Sequence, residues 1–369
     1  MNKRLLIVTD GLYPVQIGGM QKHAFYLIRS LLEKAYQIDV VLPKNDEYRS
    51  HEFASNNLVN FHLLDRPTYR FPLHYLFEER SFSRSCYAHL SQLDLNEFDA
   101  IITKGFTTSE WKKTDGLPKI FSQIHGLEMF QPSLSFGQRI KNLFLQKIAI
   151  DSLRNADVVL SYGGKIMDLH RRLLGKKADI RLFTGGIPVE KLKRQITFSS
   201  NPRRFLFIGR DERRKGIPEL IKILNESKRE IELSWIGESP HLESLTNPKF
   251  KLTKHGVISD AASYFDIIDN SDILLVPSIS EGLPTVILEA MARGLCCISM
   301  DVGAIAGVVN NENGWLVSSH QEFATALDQA LDISQDDLMS KKQKSLEKIS
   351  SEYTWSQLIS RLEGYIYGE

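Results

Sequence analysis

The chain has 369 residues, long for one hydrophobic core, and two domains are the default expectation. Its 46 Lys and Arg against 45 Asp and Glu leave a formal net charge of +1, so no global field argues for nucleic acid and no nucleic-acid partner is expected. Cys86 and the adjacent Cys296 and Cys297 offer neither a zinc spacing nor a disulfide framework, which fits a reducing compartment.

The chain opens on the apolar run Leu5–Val8. Asp10 and Gly11 interrupt it too early for the apolar core of a signal peptide, so it reads as a first buried strand. No apolar stretch approaches the length that spans a bilayer, and a cytoplasmic protein is expected. The loop that follows contains Gly18-Gly19, then Phe25, Ile28, Leu31 and Leu32 recur at helical spacing, and Ile38–Leu42 is a second strand. Strand, glycine loop, helix and strand make a βαβ unit with a parallel sheet. The glycine pair lets backbone approach a ligand closely; it also suits a loop that simply needs positive φ. It is not the G-x-G-x-x-G dinucleotide fingerprint.

Tyr69–Phe77 is aromatic and basic. It fits a helix packed on the core, and also an acceptor groove or a membrane surface. Ala100–Thr103 and Ile120–Ile124 are further strands, and the second runs into His125-Gly126. A histidine at the carboxyl end of a parallel strand lies where open α/β sheets bind ligands; its imidazole can hydrogen-bond a hydroxyl or move a proton, or be structural. From Gln138 to Lys177 nine basic residues face three acids, with Ile140, Leu143, Phe144, Ile148 and Ile150 as an apolar face. Such a helix can lie on an anionic membrane or be an ordinary surface helix. Ala156–Ser161 is the last strand of the first half, and Thr184–Pro188 is the passage into the second.

The second half starts with the strand Arg204–Gly209. Arg210 follows it and Lys215 precedes the next helix; two cations converging there suit a diphosphate, while Arg213 and Arg214 are expected to face solvent. Ile231–Gly237 is a strand, and the turn His255–Asp260 offers backbone with Val257 and Ile258 to a nucleobase. Ile273–Pro277 is a short buried strand leading to Ser280-Glu281-Gly282-Leu283-Pro284-Thr285 and a helix that carries Glu289. Pro284 suits the first helical position, and the N–H groups of Thr285 and Val286 then point out of the helix start as an anion site. The two carboxylates flanking it suit a ligand with hydroxyls on both sides of a phosphate, although strand–turn–helix units with two exposed Glu are also ordinary. Cys296–Met300 and Gly314–Val317 complete a second sheet, a helix covers about Gln321–Leu331, and an amphipathic helix ends at Tyr367.

Phe207-Ile208-Gly209-Arg210, Lys215-Gly216, His255-Gly256, Asp272-Ile273, Pro277-Ser278, Glu281-Gly282-Leu283-Pro284, Glu289–Gly294 and Gly314–Val317, taken in this order, resemble family 4 of the retaining glycosyltransferases. The resemblance implies the GT-B fold class: α/β, two Rossmann-like α/β/α domains facing each other across a deep cleft. It divides the chain into 1–187, an acceptor-binding domain; 188–350, a nucleotide-sugar donor-binding domain; and 351–369, a helix crossing back to the first domain.

It also implies roles. Arg210 and Lys215 would hold the donor diphosphate, Glu281 the donor sugar hydroxyls and Glu289 the ribose. The backbone at Gly209, Gly282, Leu283, Pro284 and Thr285 would meet sugar and phosphate, and Val257 and Ile258 the base. Gly18 and Gly19 would close on the diphosphate, and His125 would stand beside the donor sugar. The implied activity is a retaining transfer from a nucleoside-diphosphate sugar, UDP-sugar first, to a saccharide or lipid-linked saccharide acceptor in cell-surface glycan biosynthesis.

No Asp-x-Asp occurs, so metal independence is expected; no metal site and no cofactor are expected beyond the nucleotide sugar as co-substrate. The basic first domain allows peripheral contact with the inner face of the plasma membrane. An epimerase-like enzyme of the same architecture and a non-catalytic sugar-binding subunit are the competing readings.

Overall fold

The computed structural model describes residues 3–71, 73–131, 136–193, 195–196 and 203–368. The chain divides into two compact units, Met1–Thr184 with Trp355–Glu369, and Gly185–Thr354. Against the expected limits of 187 and 350, the crossings fall at Thr184–Gly185 and Thr354–Trp355.

The first unit holds a seven-stranded sheet of β1 (Arg4–Val8), β2 (Gln37–Pro43), β3 (Val59–Leu64), β4 (Ala100–Lys104), β5 (Ile120–Gln123), β6 (Val158–Ser161) and β7 (Asp179–Leu182), in the order β3-β2-β1-β4-β5-β6-β7. Its helices are α1 (Gly19–Leu32), α2 (His74–Leu90), α3 (Phe136–Arg154), α4 (Gly164–Leu174) and, from the chain's last segment, the helix Trp355–Tyr367. The second unit holds a six-stranded sheet of β8 (Arg204–Ile208), β9 (Ile231–Ile236), β10 (Phe250–Gly256), β11 (Ile273–Val276), β12 (Cys296–Met300) and β13 (Gly314–Val317), in the order β10-β9-β8-β11-β12-β13. Its helices are α5 (Ile217–Glu226), α6 (Ala261–Asp269), α7 (Thr285–Ala292), α8 (His320–Asp332) and α9 (Gln335–Glu352); Trp355–Tyr367 is then α10.

Every pairing between these strands is parallel. Crossover helices cover both faces, so the central strands are apolar on both sides rather than alternating. In β11, Ile273 and Leu275 enter one core and Leu274 and Val276 the other. The same alternation puts Cys296 on one face and Cys297 on the other, both buried and free.

Each strand order reverses once, between β1 and β4 in the first sheet and between β8 and β11 in the second. Loops leaving the carboxyl ends of two strands there run apart in opposite directions and leave a crevice, the place where open α/β sheets bind ligands.

Two expectations change. The basic stretch 138–177 is not one amphipathic helix: it runs through α3, β6 and α4. On α3, Ile148 is buried, whereas Phe136, Ile140, Leu143 and Phe144 are exposed. The aromatic stretch Tyr69–Phe77 is helical only from His74, and Tyr69, Phe71 and Phe77 are exposed, so it is only in part a helix packed on the core. Among the described residues no helix is long and apolar enough to cross a membrane.

Candidate functional site

In the second unit the loops after β8 and β11 flank the strand-order reversal and are stitched together. The Ile279 N–H donates to the Arg214 carbonyl at 2.7 Å. Gly216, at φ +69°, fits only as glycine, because a Cβ there would lie 2.1 Å from the Pro277 carbonyl oxygen. The loop after β12 closes in as well. The Ala304 N–H donates to the Gly282 carbonyl at 2.8 Å, and a Cβ on Gly303 would lie 2.2 Å from the Glu281 carbonyl oxygen.

This packing buries Glu281 and aims it at the basic turn after β8. Lys215 Nζ donates to its Oε1 at 2.6 Å, Ser278 Oγ to the same oxygen at 3.0 Å, and Arg214 Nη1 to Oε2 at 2.9 Å. Arg214 is therefore not a solvent-facing cation: it links Glu281 to Glu212, 2.6 Å from its Nε. Arg210 joins the far side of Glu212 at 2.8 Å with its side chain 83% exposed. Arg213 does turn outward, paired with Glu219. The turn thus holds four cations against Glu212, Glu219 and Glu281, and its most accessible cation is Arg210.

The helix starts differ in how they are capped. Pro284 is the N-cap of α7 rather than its first residue, because its ψ of 124° is extended. It carries no side-chain cap, and neither does Gly216 at the start of α5. By contrast, α6 and α8, which leave the outer strands β10 and β13, are capped by Asp260 and Ser319. First-turn N–H groups have no partner within a helix. At the two helices beside the reversal, no cap side chain takes them, and such N–H groups suit an anion.

Glu289, one turn into α7, is buried and accepts from the Tyr264 hydroxyl at 2.6 Å. Thr285 is exposed, Leu283 is half-buried against the core, and Gly209 donates its N–H to the Ile236 carbonyl at 3.1 Å. Val257, just past β10, is exposed, while Ile258 packs on the core.

In the first unit the glycine pair needs no left-handed backbone. Gly18 is extended at φ −176° and Gly19 is the first residue of α1. A Cβ on Gly18 would lie 2.2 Å from Gln21 Oε1, whereas one on Gly19 would meet nothing within 4 Å, so the open space is at Gly19, over the start of α1, itself without a side-chain cap. His125 follows β5, and its Nε2 lies 3.1 Å from the Tyr162 hydroxyl. Burial, with Lys104 next, holds its pKa well below the usual histidine range. Asp10, at the carboxyl end of β1, accepts from Gln21 Nε2 at 3.0 Å. Burial first and Glu79 second push its pKa up to about 6, against the opposing pull of Arg66.

The structure therefore brings Lys215 and Glu281 into direct contact, joins Arg210 to them through Glu212, and keeps Glu289 apart on α7. Sequence reasoning missed Arg214 and Ser278, whose contacts are set by loop packing. It also missed Tyr264, and the cluster of Lys104, His23, Gln123 and Tyr162 around His125. A signal for Lys104 existed: a lone cation ending an otherwise apolar strand, Ala100-Ile101-Ile102-Thr103-Lys104. Among the described residues no group of His, Cys, Asp and Glu is arranged to hold a metal ion.

Comparison with known proteins places these features. Residues 17–191 match the model of Glycosyltransferase Family 4, and residues 202–332 that of Glycosyl transferases group 1. The chain is 25% identical over 183 residues to TuaC of Bacillus subtilis (strain 168), a glycosyltransferase assigned to teichuronic acid biosynthesis. That match takes in 47% of this chain and 46% of TuaC, under half of that relative's own length. Over 390 aligned positions, 98% of this chain and 82% of the other, it is 21% identical to the phosphatidylinositol N-acetylglucosaminyltransferase GPI3 subunit of Saccharomyces cerevisiae (strain YJM789). Its fold matches sucrose-phosphate synthase from Thermosynechococcus elongatus with a TM-score of 0.75 at 18% identity, covering 99% of this chain and 98% of that one. The two parallel-sheet units have the GT-B fold, and the chain belongs to the family 4 glycosyltransferases.

Proposed function

We propose that this enzyme moves a sugar, with retention and without a metal ion, from a nucleoside-diphosphate sugar to a saccharide or lipid-linked saccharide of cell-surface glycan assembly. UDP is the carrier in this reading. The observation that carries it is the Lys215–Glu281–Arg214 contact beside two helix starts without side-chain caps. Positive charge and free-standing N–H groups suit a diphosphate, and a carboxylate locked among them suits sugar hydroxyls.

In this reading Arg210, Lys215 and the first turn of α7 bind the diphosphate, and the backbone at Gly209, Gly282, Leu283, Pro284 and Thr285 borders sugar and phosphate. Glu281 orients the transferred sugar, Glu289 takes the ribose, and Val257 and Ile258 border the base. In the first unit Gly18, Gly19 and His125 are read as donor-facing. The bond from the anomeric carbon to the phosphate oxygen breaks, and its electron pair stays on the diphosphate. The acceptor oxygen bonds to that carbon on the same face, and the acceptor proton passes to the departing phosphate oxygen. Cations preorganised around that oxygen stabilise the charge as it develops. No protein nucleophile is assigned.

Thermal stabilisation by UDP exceeding that by GDP or ADP, and slow release of UDP from a UDP-sugar undiminished by EDTA, are the expected outcomes. Absence of both nucleotide binding and donor cleavage overturns the enzymatic reading, and loss of turnover in EDTA overturns the metal-free one.

A lipid-linked acceptor also suits α3. Phe136, Ile140, Leu143 and Phe144 recur at helical spacing on its exposed side, with Arg139, Lys141 and Lys147 exposed on the same helix. GPI3, by its name, acts on a phosphatidylinositol. Binding to vesicles of anionic lipid, weak on zwitterionic ones and lost in Phe136→Ser/Phe144→Ser, is expected. Equal binding by the double variant removes α3 as the contact.

A further inference from the structure

We propose that Lys104 is a positioning residue for His125: by donating to His23 Nδ1 it adds the second anchor that fixes that ring's plane, and the fixed ring holds His125. Lys104 is the last residue of β4, at the strand-order reversal of the first sheet, and its side chain is fully buried. Its Nζ lies 2.5 Å from Gln123 Oε1 and 3.1 Å from His23 Nδ1. It also stands 5.7 Å from the centre of the Phe183 ring. Among the described residues no carboxylate pairs with it. A lysine buried in this way is a costly arrangement, and its polar partners must be placed for it.

The directions of the hydrogen bonds follow from what each atom can give. His23 Nε2 lies 3.0 Å from the Thr184 carbonyl oxygen. A carbonyl only accepts, so Nε2 carries the proton. A neutral imidazole has one N–H, so Nδ1 is the acceptor and Lys104 the donor. This holds whether the amine is charged or neutral. Gln123 is oriented by the same logic: Oε1 faces Lys104, and Nε2 donates to the Phe183 carbonyl at 2.6 Å.

His23, locked at both nitrogens, presents its ring at 81° to His125 with centroids 4.8 Å apart. Tyr162 stands against both rings, its centroid 5.2 Å from that of His125 at 70° and 6.3 Å from that of His23 at 77°. Among the described residues the titratable groups set against the two rings are Lys104 from β4, His23 from α1, His125 after β5 and Tyr162 after β6, with no carboxylate among them; the Glu128 carboxylate lies over the neighbouring Gly126. Burial first and Lys104 second keep both histidines below their usual range. His125 then meets a sugar hydroxyl as an uncharged ring of fixed plane.

The test needs no ligand for its first part. Long-range proton–nitrogen spectra of the labelled full chain between pH 5 and 8 should show His23 with Nε2 protonated and Nδ1 bare. Neither His23 nor His125 should titrate there. The opposite tautomer of His23, or ordinary titration of both rings, overturns the proposal without any variant. In Lys104→Met the Thr184 carbonyl still holds the proton on Nε2, but Nδ1 loses its donor, so the His23 Nδ1 shift and the His125 resonances should both move. Release of UDP from the UDP-sugar should slow on the order of tenfold in kcat, with UDP binding retained. Unchanged His125 resonances, or an unchanged kcat despite them, overturn the positioning role. The use of His125 in turnover rests on the function proposed above. Full donor cleavage by His125→Ala sinks that reading, while the wild-type tautomer still decides the hydrogen-bond assignment.

Discussion

Asp10 and Glu281 are two carboxylates at carboxyl ends of parallel strands, held in opposite ways. Asp10 accepts from Gln21 and from its own backbone N–H, and burial still raises its folded pKa from 3.8 to about 6. A raised carboxylate binds its proton more tightly folded than unfolded, so stability falls as pH climbs from about 4 through about 6 and stays lower above. Asp10→Asn should therefore gain about 3 kcal/mol at pH 7.5 and almost nothing at pH 4, measured by urea unfolding at the two pH values. Such a gain in the variant means the carboxylate is retained against stability, which fits a ligand contact at the end of β1. Glu281 instead accepts from Lys215, Arg214 and Ser278. Glu281→Ala should lose about 3 kcal/mol, because it takes the carboxylate from a mostly buried lysine and one of the two carboxylates from Arg214, which keeps Glu212. Glu281→Gln should retain most of the fold while donor cleavage falls, read as the ratio of kcat to unfolding free energy across the two variants.

At the scale of elements, legibility in the sequence followed burial. The central strands β1, β4, β8, β11 and β12 are covered on both faces and read as continuous apolar runs. The strands that carried no such signal were β3, β7 and β10, and each is the edge of its sheet. Half of β10 is solvent-facing, so Lys251, Thr253 and Lys254 break the run. The helix α9 was missed for a related reason: Gln335–Glu352 is mostly polar, and few of its residues are buried. Leu338 and Ile349 reach the cores, and a polar contact pins the helix between them. Lys342, buried, reaches Asp272 at the start of β11 at 3.1 Å. Lys342→Ala leaves that buried carboxylate to Arg204 alone, whose Nε lies 3.6 Å and whose backbone nitrogen lies 3.0 Å from it, and should cost about 3 kcal/mol, seen as a lower urea midpoint. The site was legible where motif residues stand on loops of set length beside the strand-order reversal, as with Lys215 and Glu281. It was illegible where a contact depends on two loops meeting, as with Arg214, or on a strand and a helix distant in sequence, as with Lys104 and His23.

At the scale of the molecule, the first unit is not continuous in sequence. Trp355, Leu358, Ile359 and Leu362 of α10 are buried in the same core as Leu5, Ile7, Leu27 and Ile28. Tyr36 donates to Glu363 at 3.1 Å, and the Tyr365 hydroxyl to the Leu182 carbonyl at 3.0 Å. Leu358→Ala should cost about 2 to 5 kcal/mol. Amide exchange should accelerate in β1 and β2 while β11 and β12 keep their protection; equal loss in both sheets would mean the units do not open separately. The chain order has a further consequence. As the protein emerges from the ribosome, all of Gly185–Thr354 is made before Trp355 exists. The second unit has its full sequence while the first still lacks the helix that covers α1. The amino-terminal half is thus the last to be finished, and until then it carries an uncovered apolar surface, the state in which a growing chain most needs a chaperone.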